Sequence, residues 1–215
     1  MPSRTTTKVK KPAKKVAKGA DANSRTARRR DGDVLEAAVK VFYERGYSDA
    51  TVQDVADELG ILKGSLYHYI DTKEDLLFQL VEEVHTQVEA ILNGVKAEKG
   101  LEPLERLELY VRRQVEYNIE NLERISIYYH DLNRLTGDRL TFVKASRRVH
   151  DDYVTKLISA AQKEGKADKG FDARIMANCV FGTIIWTYQW FRPGRMSRKT
   201  VVEVCVHHAL RGVVG

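Results

Sequence analysis

Two cysteines and four prolines in 215 residues already remove several classes of protein from consideration. Cys179 and Cys205 are too few to frame a disulfide-rich secreted scaffold, and their number suits a reducing compartment. With proline scarce and only 14 glycines, few turns are available, so the chain should consist of a small number of long elements. Alternation of apolar and polar residues, the mark of a half-buried strand, is absent, and so is any repeat of fixed period. No apolar run reaches the ~20 residues a membrane span needs. The nearest approach, Ile175–Phe191, is shorter and contains Asn178, Gly182 and Gln189. Signature motifs of catalysis are missing as well: there is no Gly-x-Ser-x-Gly elbow, no phosphate-binding Walker loop, no His-Glu-x-x-His and no Cys-x-x-Cys.

What remains is a chain with 43% hydrophobic and 31% charged residues, the composition of a soluble globular protein. Its formal charge of +6 is unevenly distributed. Residues 1–30 hold eleven Lys/Arg against one acid, Asp21, whereas the remainder holds 25 against 29. A basic tail therefore precedes a mildly acidic body. Such a tail points to nucleic acid or to an anionic membrane surface. It has no apolar segment of the kind a secretory signal requires. Residues 1–24 offer almost nothing to bury and are expected to be disordered in isolation.

Beyond about Arg25 the pattern becomes helical. Leu35, Ala38, Val39 and Phe42 recur with i, i+3, i+4, i+7 spacing, and Gly46 ends that helix. Thr51 opens the next: it can accept a hydrogen bond from the Asp54 amide, Asp54 in the first turn complements the helix dipole, and Val52, Val55, Ala56 and Leu59 form the apolar stripe. Gly60 stops it, and a short helix follows over Lys63–Ile70. Thr72 caps a long fourth helix reaching about Lys96. Five more are expected at Pro103–Asn121, Glu123–Thr136, Arg139–Gly165, Asp172–Phe191 and Ser197–Val213, which makes an all-α chain of about nine helices.

The run Val55–Tyr67 reads as a helix-turn-helix. Ala56 is small enough for two helices to cross closely, Gly60 permits the tight turn, and Val55, Leu59 and Leu66 pin the second helix to the first. The outward face of the second helix, Lys63, Gly64, Ser65, Tyr67 and His68, is then free to lie in a major groove. Its small residues admit phosphates, and its polar, basic and aromatic groups supply phosphate and base-edge contacts.

This run and its surroundings resemble the TetR family of bacterial transcriptional regulators. The matching residues are Phe42 through Gly46, Thr51-Val52, Val55-Ala56, Gly60, Lys63 through Tyr67, and Lys73 through Leu76. Ile70 stands where the family usually has Phe, an apolar exchange that packing should absorb. The resemblance implies an N-terminal three-helix DNA-binding domain over residues 25–72, and a helical ligand-binding and dimerisation domain over residues 73–215. By matching position, Thr51, Lys63, Gly64, Ser65, Tyr67, His68 and Lys73 should face DNA, with Thr51, Tyr67 and Lys73 on phosphates. Arg28, Arg29 and Arg30, just ahead of the first helix, could reach an adjacent minor groove. The Lys-rich tail would add salt-sensitive, nonspecific affinity.

In the C-terminal half, aromatic and polar residues interleave in a way that suits an apolar pocket with a few orienting polar groups. Tyr117, Tyr129, Asn133, Trp186 and Trp190 are the candidate ligand contacts. The stretch Trp186–Gly194 looks like a subset of TetR-type regulators that control lipid or steroid breakdown and respond to acyl-CoA thioesters. Arg112, Arg113, Arg147, Arg148 and Arg192 are candidate cations for the phosphates of such an effector. The apolar helix near residue 180 and a stripe of Val201, Val202, Cys205, Ala209, Leu210 and Val213 suggest a four-helix dimer interface. A two-fold homodimer would demand a palindromic operator of double-stranded DNA. The expected protein is thus a ligand-released repressor of the bacterial cytoplasm, associated with the nucleoid, with no cofactor, no metal and no membrane partner.

Two other readings compete. A nucleoid-type protein with weak sequence preference would explain the tail, but not a large helical domain. A helical metal-dependent hydrolase is hinted at by His130-Asp131 and His150-Asp151-Asp152. Adjacent residues on a helix point about 100° apart, however, so one metal cannot easily take both.

Overall fold

The computed structural model describes residues 32–215. The basic tail and Arg28, Arg29 and Arg30 lie outside the described residues. Every regular element described is helical. The helices are α1 (residues 32–45), α2 (Val52–Leu59), α3 (Lys63–Leu66), α4 (Lys73–Ala97), α5 (Pro103–Glu120), α6 (Leu122–Asp131), α7 (Gly137–Lys163), α8 (Ala173–Ile185), α9 (Thr187–Trp190) and α10 (Arg198–Val214).

Three elements are shorter than the periodicity predicts. The helix expected over Lys63–Ile70 is regular only to Leu66 and continues as i→i+3 turns through Tyr69. The helix expected to Thr136 stops at Asp131 and passes into a single 3₁₀ turn, Leu132–Arg134. The helix expected over Asp172–Phe191 breaks after Ile185. There the Asn118 Nδ2 donates to the Ile184 carbonyl at 3.1 Å, and the buried Thr187 hydroxyl donates to the same carbonyl at 2.7 Å. Side chains thus take over a carbonyl at the helix end that the next turn would otherwise use.

Two cores stack along the molecule, and α4 runs through both. The first gathers α1–α3 around Phe42, Val55, Ala56, Leu66 and Ile70. It continues through Leu76, Leu77 and Leu80 of α4 into Ile125, Ile127 and Tyr128 of α6. The second gathers Leu92 and Val95 of α4 with the inner faces of α5, α7, α8 and α10. Ile70 is buried, as its apolar character requires.

The stripe Val201, Val202, Cys205, Ala209 and Val213, expected at a dimer surface, is instead buried within the chain, where α10 packs on α5. The open side of α10 carries Val204 and Val214. α8 is buried on one side through Met176, Ala177, Val180 and Ile184, and on the other exposes Ile175 (63%) and Trp186 (60%). An apolar helix with one face in its own core and one left open is what an assembly surface requires.

Candidate nucleic-acid interface and ligand cavity

Both termini of α2 are shaped by the residues the sequence singles out. The Thr51 hydroxyl accepts from the Asp54 amide at 3.2 Å, and an Asp54 carboxylate oxygen accepts from the Thr51 amide at 2.8 Å. The Thr51 hydroxyl also donates to that carboxylate at 2.7 Å, and this bond and the one from the Thr51 amide, with Arg45 alongside, hold the Asp54 carboxyl below its usual range. At the other end Gly60 adopts φ +67°, which a side chain would strain. Its amide and that of Ile61 return to Asp57 and Ala56.

The chain then enters α3 with Leu66 fully buried against Val55 and Ala56 in the same core. Burial of one leucine contributes ~1.5–3 kcal/mol, enough to orient a helix of one turn. Lys63, Gly64, Tyr67 and His68 are exposed, and Ser65 is half-buried beside them. The Lys63 ammonium sits 6.0 Å above the Tyr67 ring, so cation and phenol share one patch. A small, basic and aromatic face therefore projects from a rigid two-helix support, the geometry that reads a major groove.

Lys73 departs from the expected role of phosphate cation. It is half-buried, and its ammonium donates to the carbonyls of Tyr47 (2.7 Å), Ala50 (2.8 Å) and Ser48 (3.3 Å), above the Tyr47 ring at 4.4 Å. All three donors of this side chain are used inside the protein. Lys73 ties the start of α4 to the turn between α1 and α2. What it leaves at the surface is the capped N-terminus of α4, where the Asp75 carboxylate takes the Thr72 amide at 2.6 Å.

The second site is a cavity of about 370 Å³ enclosed by five helices. Its walls are Val84, His85 and Val88 of α4, Tyr110, Gln114 and Asn118 of α5, and Ile125, Tyr128 and Tyr129 of α6. Arg147, His150 and Asp151 of α7, residues of α8 from Asn178 to Ile185, and Trp186 complete it. The exposed members, Arg147, Asn178, Gly182 and Trp186, mark where it opens. Inside, Tyr110 Oη meets His150 Nδ1 at 2.9 Å, and Tyr128 Oη meets His85 Nε2 at 3.3 Å. Burial pushes both imidazoles down to about 4, aided at His85 by Arg147 and at His150 by His85 and Lys96. Both are neutral at pH 7, and burial pushes the Tyr110, Tyr128 and Tyr129 phenols up.

Of the five expected ligand contacts, Tyr129 and Trp186 line this cavity. Tyr117, Asn133 and Trp190 do not. Asn133 is exposed in the 3₁₀ turn, Trp190 lies in α9 beyond the helix break, and Tyr117 is half-buried one residue out of register with Gln114 and Asn118. Of the five candidate arginines only Arg147 is among its walls. Arg112 is paired with Glu203 and Glu108, and Arg113 with Glu98. Residues missed by the aromatic pattern, above all Gln114 and Asn118, have a legible signal: Tyr110, Gln114 and Asn118 repeat at i+4 on the face of α5 that also carries Leu107 and Val111. Polar groups recurring on a core-facing stripe are costly unless something pairs with them.

The hydrolase reading gains no support from this geometry. His150 is engaged by Tyr110, and His130 Nε2 lies 3.1 Å from Gln189 Nε2. Among the described residues no three His, Cys, Asp or Glu side chains are grouped to hold a metal ion. Among them, too, no helix is long and apolar enough to cross a membrane.

The model of bacterial regulatory proteins of the tetR family matches residues 34–80, and the tetracyclin repressor-like C-terminal domain matches residues 100–213. The HTH-type transcriptional repressor KstR2 of Mycobacterium tuberculosis is 27% identical over 77% of this chain and 82% of its own. The fatty acid metabolism regulator protein of Bacillus subtilis is 26% identical over 70% of this chain and 77% of its own. The solved structure of the M. tuberculosis ketosteroid regulator KstR2 superposes with a TM-score of 0.80 at 26% identity, covering 86% of this chain and 95% of that one. A structure of AibR in complex with isovaleryl coenzyme A and operator DNA does so with a TM-score of 0.76 at 27% identity, covering 83% and 97%. With the groove-reading helix pair falling in the first matched segment and most of the cavity wall in the second, the chain belongs to the TetR family of transcriptional regulators.

Proposed function

We propose that this protein is a homodimeric, ligand-released repressor of a palindromic operator, and that its effector is an acyl-CoA thioester. The observation that carries the reading is the position of α6 between the two sites. Ile125, Tyr128 and Tyr129 line the cavity, while Ile127 of the same helix belongs to the core of α1–α3 and Arg124 pairs with Glu36 of α1 and Glu83 of α4. A ligand that fits only one setting of α6 changes the setting of the groove readers; one that fits both equally changes nothing.

Lys63, Gly64, Ser65, Tyr67 and His68 contact the duplex. Thr51 and Lys73 hold the supporting helix ends in place, and Arg28, Arg29 and Arg30 add charge beside them. Residues 25–72 form the reader, residues 73–215 the sensor, and residues 1–24 a basic extension. The effector class is supported by similarity to the fatty acid metabolism regulator protein of B. subtilis and to AibR, solved in complex with isovaleryl coenzyme A. Cavity size agrees. About 370 Å³ lies near the lower end of the ~300–1,000 Å³ of ligand pockets, room for an acyl group but not for a whole coenzyme A. The nucleotide would remain outside, near Arg147. No step of this function is catalytic, and it is exercised on the nucleoid in the cytoplasm.

The test is retention of genomic fragments by the purified protein, followed by addition of acyl-CoA thioesters. Selective retention of a few palindrome-bearing fragments, released by a thioester, is the expected outcome. Equal retention of random DNA at moderate salt would instead favour the nucleoid-type reading.

A further inference from the structure

Gln114 is 5% exposed, lines the cavity, and its Nε2 has no hydrogen-bond partner among the described residues. Its neighbours on the walls are already engaged. Asn118 donates to Ile184, Tyr110 pairs with His150, and Tyr128 pairs with His85. Leaving a buried amide unpaired is destabilising, and a leucine of similar size would avoid it.

Resting on the acyl-CoA reading and sharpening it, we propose that Gln114 selects for an effector carrying an uncharged carbonyl oxygen on the part enclosed by the cavity. The side-chain amide, turned about its last bond, presents its N–H donors to the ligand. An ionised carboxylate does not suit this place. The charged groups on the walls are Arg147, which is exposed at the opening, and Asp151, which would repel it. The imidazoles of His85 and His150 are held neutral by burial. A neutral acceptor inside, with any anionic portion outside near Arg147, matches both regions.

The experiment uses the full chain with ¹⁵N-labelled glutamine and three small probes of similar shape: cyclohexanone, methylenecyclohexane and cyclohexanecarboxylate. The Gln114 amide resonance is assigned by its loss in Gln114→Met and Gln114→Leu. Cyclohexanone should move that resonance and bind about tenfold more tightly than methylenecyclohexane, a preference both variants should lose. Without ligand, both variants should melt no lower than the parent protein. Equal binding of ketone and alkene, or movement of the resonance by the carboxylate alone, overturns the proposal. So does a lower melting point in both variants with the ketone preference intact, because Gln114 would then be structural. Octanoyl-CoA in parallel separates the two readings. If the ketone registers and the thioester neither binds nor releases DNA, the acyl-CoA assignment fails while the role of Gln114 stands.

Discussion

At the residue scale, the buried imidazoles set a pH dependence whose sign can be worked out. An unfolded chain protonates histidine near pH 6.5, whereas His85 and His150 are pushed down to about 4. Between those values the unfolded state binds more protons, so stability is complete above about pH 6.5 and falls as pH drops toward 4. At pH 5 the loss should be on the order of 1–2 kcal/mol per histidine. Asp151, whose carboxyl burial pushes up, offsets part of it. Urea unfolding at pH 7.5 and pH 5 measures the difference, and His85→Gln should shrink it by roughly half. Lys73 supports a second expectation. Lys73→Met leaves the carbonyls of Tyr47, Ser48 and Ala50 without their cation and should lower stability by about 1–2 kcal/mol. Operator and random DNA should weaken alike, because the helix support loosens rather than a base contact being lost. Sequence alone identified Lys73 through its match to a family motif, but a motif does not say whether an ammonium points out to a phosphate or back to carbonyls 23–26 residues earlier. Tyr117, Asn133 and Trp190 show the same gap. Their residue types suit a pocket, and only the register of each helix decides which of them face it.

At the element scale, α2 and α4 were legible almost to the residue because local chemistry bounds them: the capping boxes of Thr51 and Thr72 and the left-handed Gly60. The later breaks were not legible. The end of α8 depends on a contact distant in sequence, Asn118 taking the Ile184 carbonyl across 66 residues, and periodicity carries no trace of it. The burial of Val201, Val202 and Cys205 was misread for a related reason. An apolar stripe states that a face is covered, not whether its own chain or a second copy covers it. The element that matters for regulation is α6. Arg124, half-buried, joins α6 to Glu36 of α1 and Glu83 of α4. Arg124→Met should leave the cavity and α3 intact but weaken the link between them. The expected outcome is near-normal effector binding by calorimetry, near-normal operator affinity without effector, and several-fold more effector needed for release. Loss of effector binding itself would show instead that Arg124 shapes the cavity.

At the scale of the whole molecule, two asymmetries bear on how the protein meets DNA. One is apolar: Ile175 on α8, Trp186 just past its end, and Val204 and Val214 on α10 are exposed in a single chain. A pair of changes there, Ile175→Arg with Val204→Glu, should yield a monomer by sedimentation with unchanged helicity, and operator binding should lose its two-site character. The other is electrostatic. Seven Lys/Arg and one acid, Asp21, lie within residues 1–24, ahead of a body in which 29 bases and 29 acids balance. The body alone has no net charge to draw it to a polyanion, so its attraction is confined to the groove-reading face. A basic extension joined to the chain ahead of α1 would have a high effective concentration near any duplex the readers engage. If its cations sit on phosphates, each displaced counterion adds about −0.9 to the slope of log affinity against log salt. Removing residues 1–24 should therefore flatten that slope by as much as about 6, on random and operator DNA alike. The ratio of specific to nonspecific affinity should stay nearly constant, because none of these residues reads a base. Fluorescence anisotropy from 50 to 300 mM salt measures both quantities, and an unchanged slope would mean that the extension takes no part in binding the duplex.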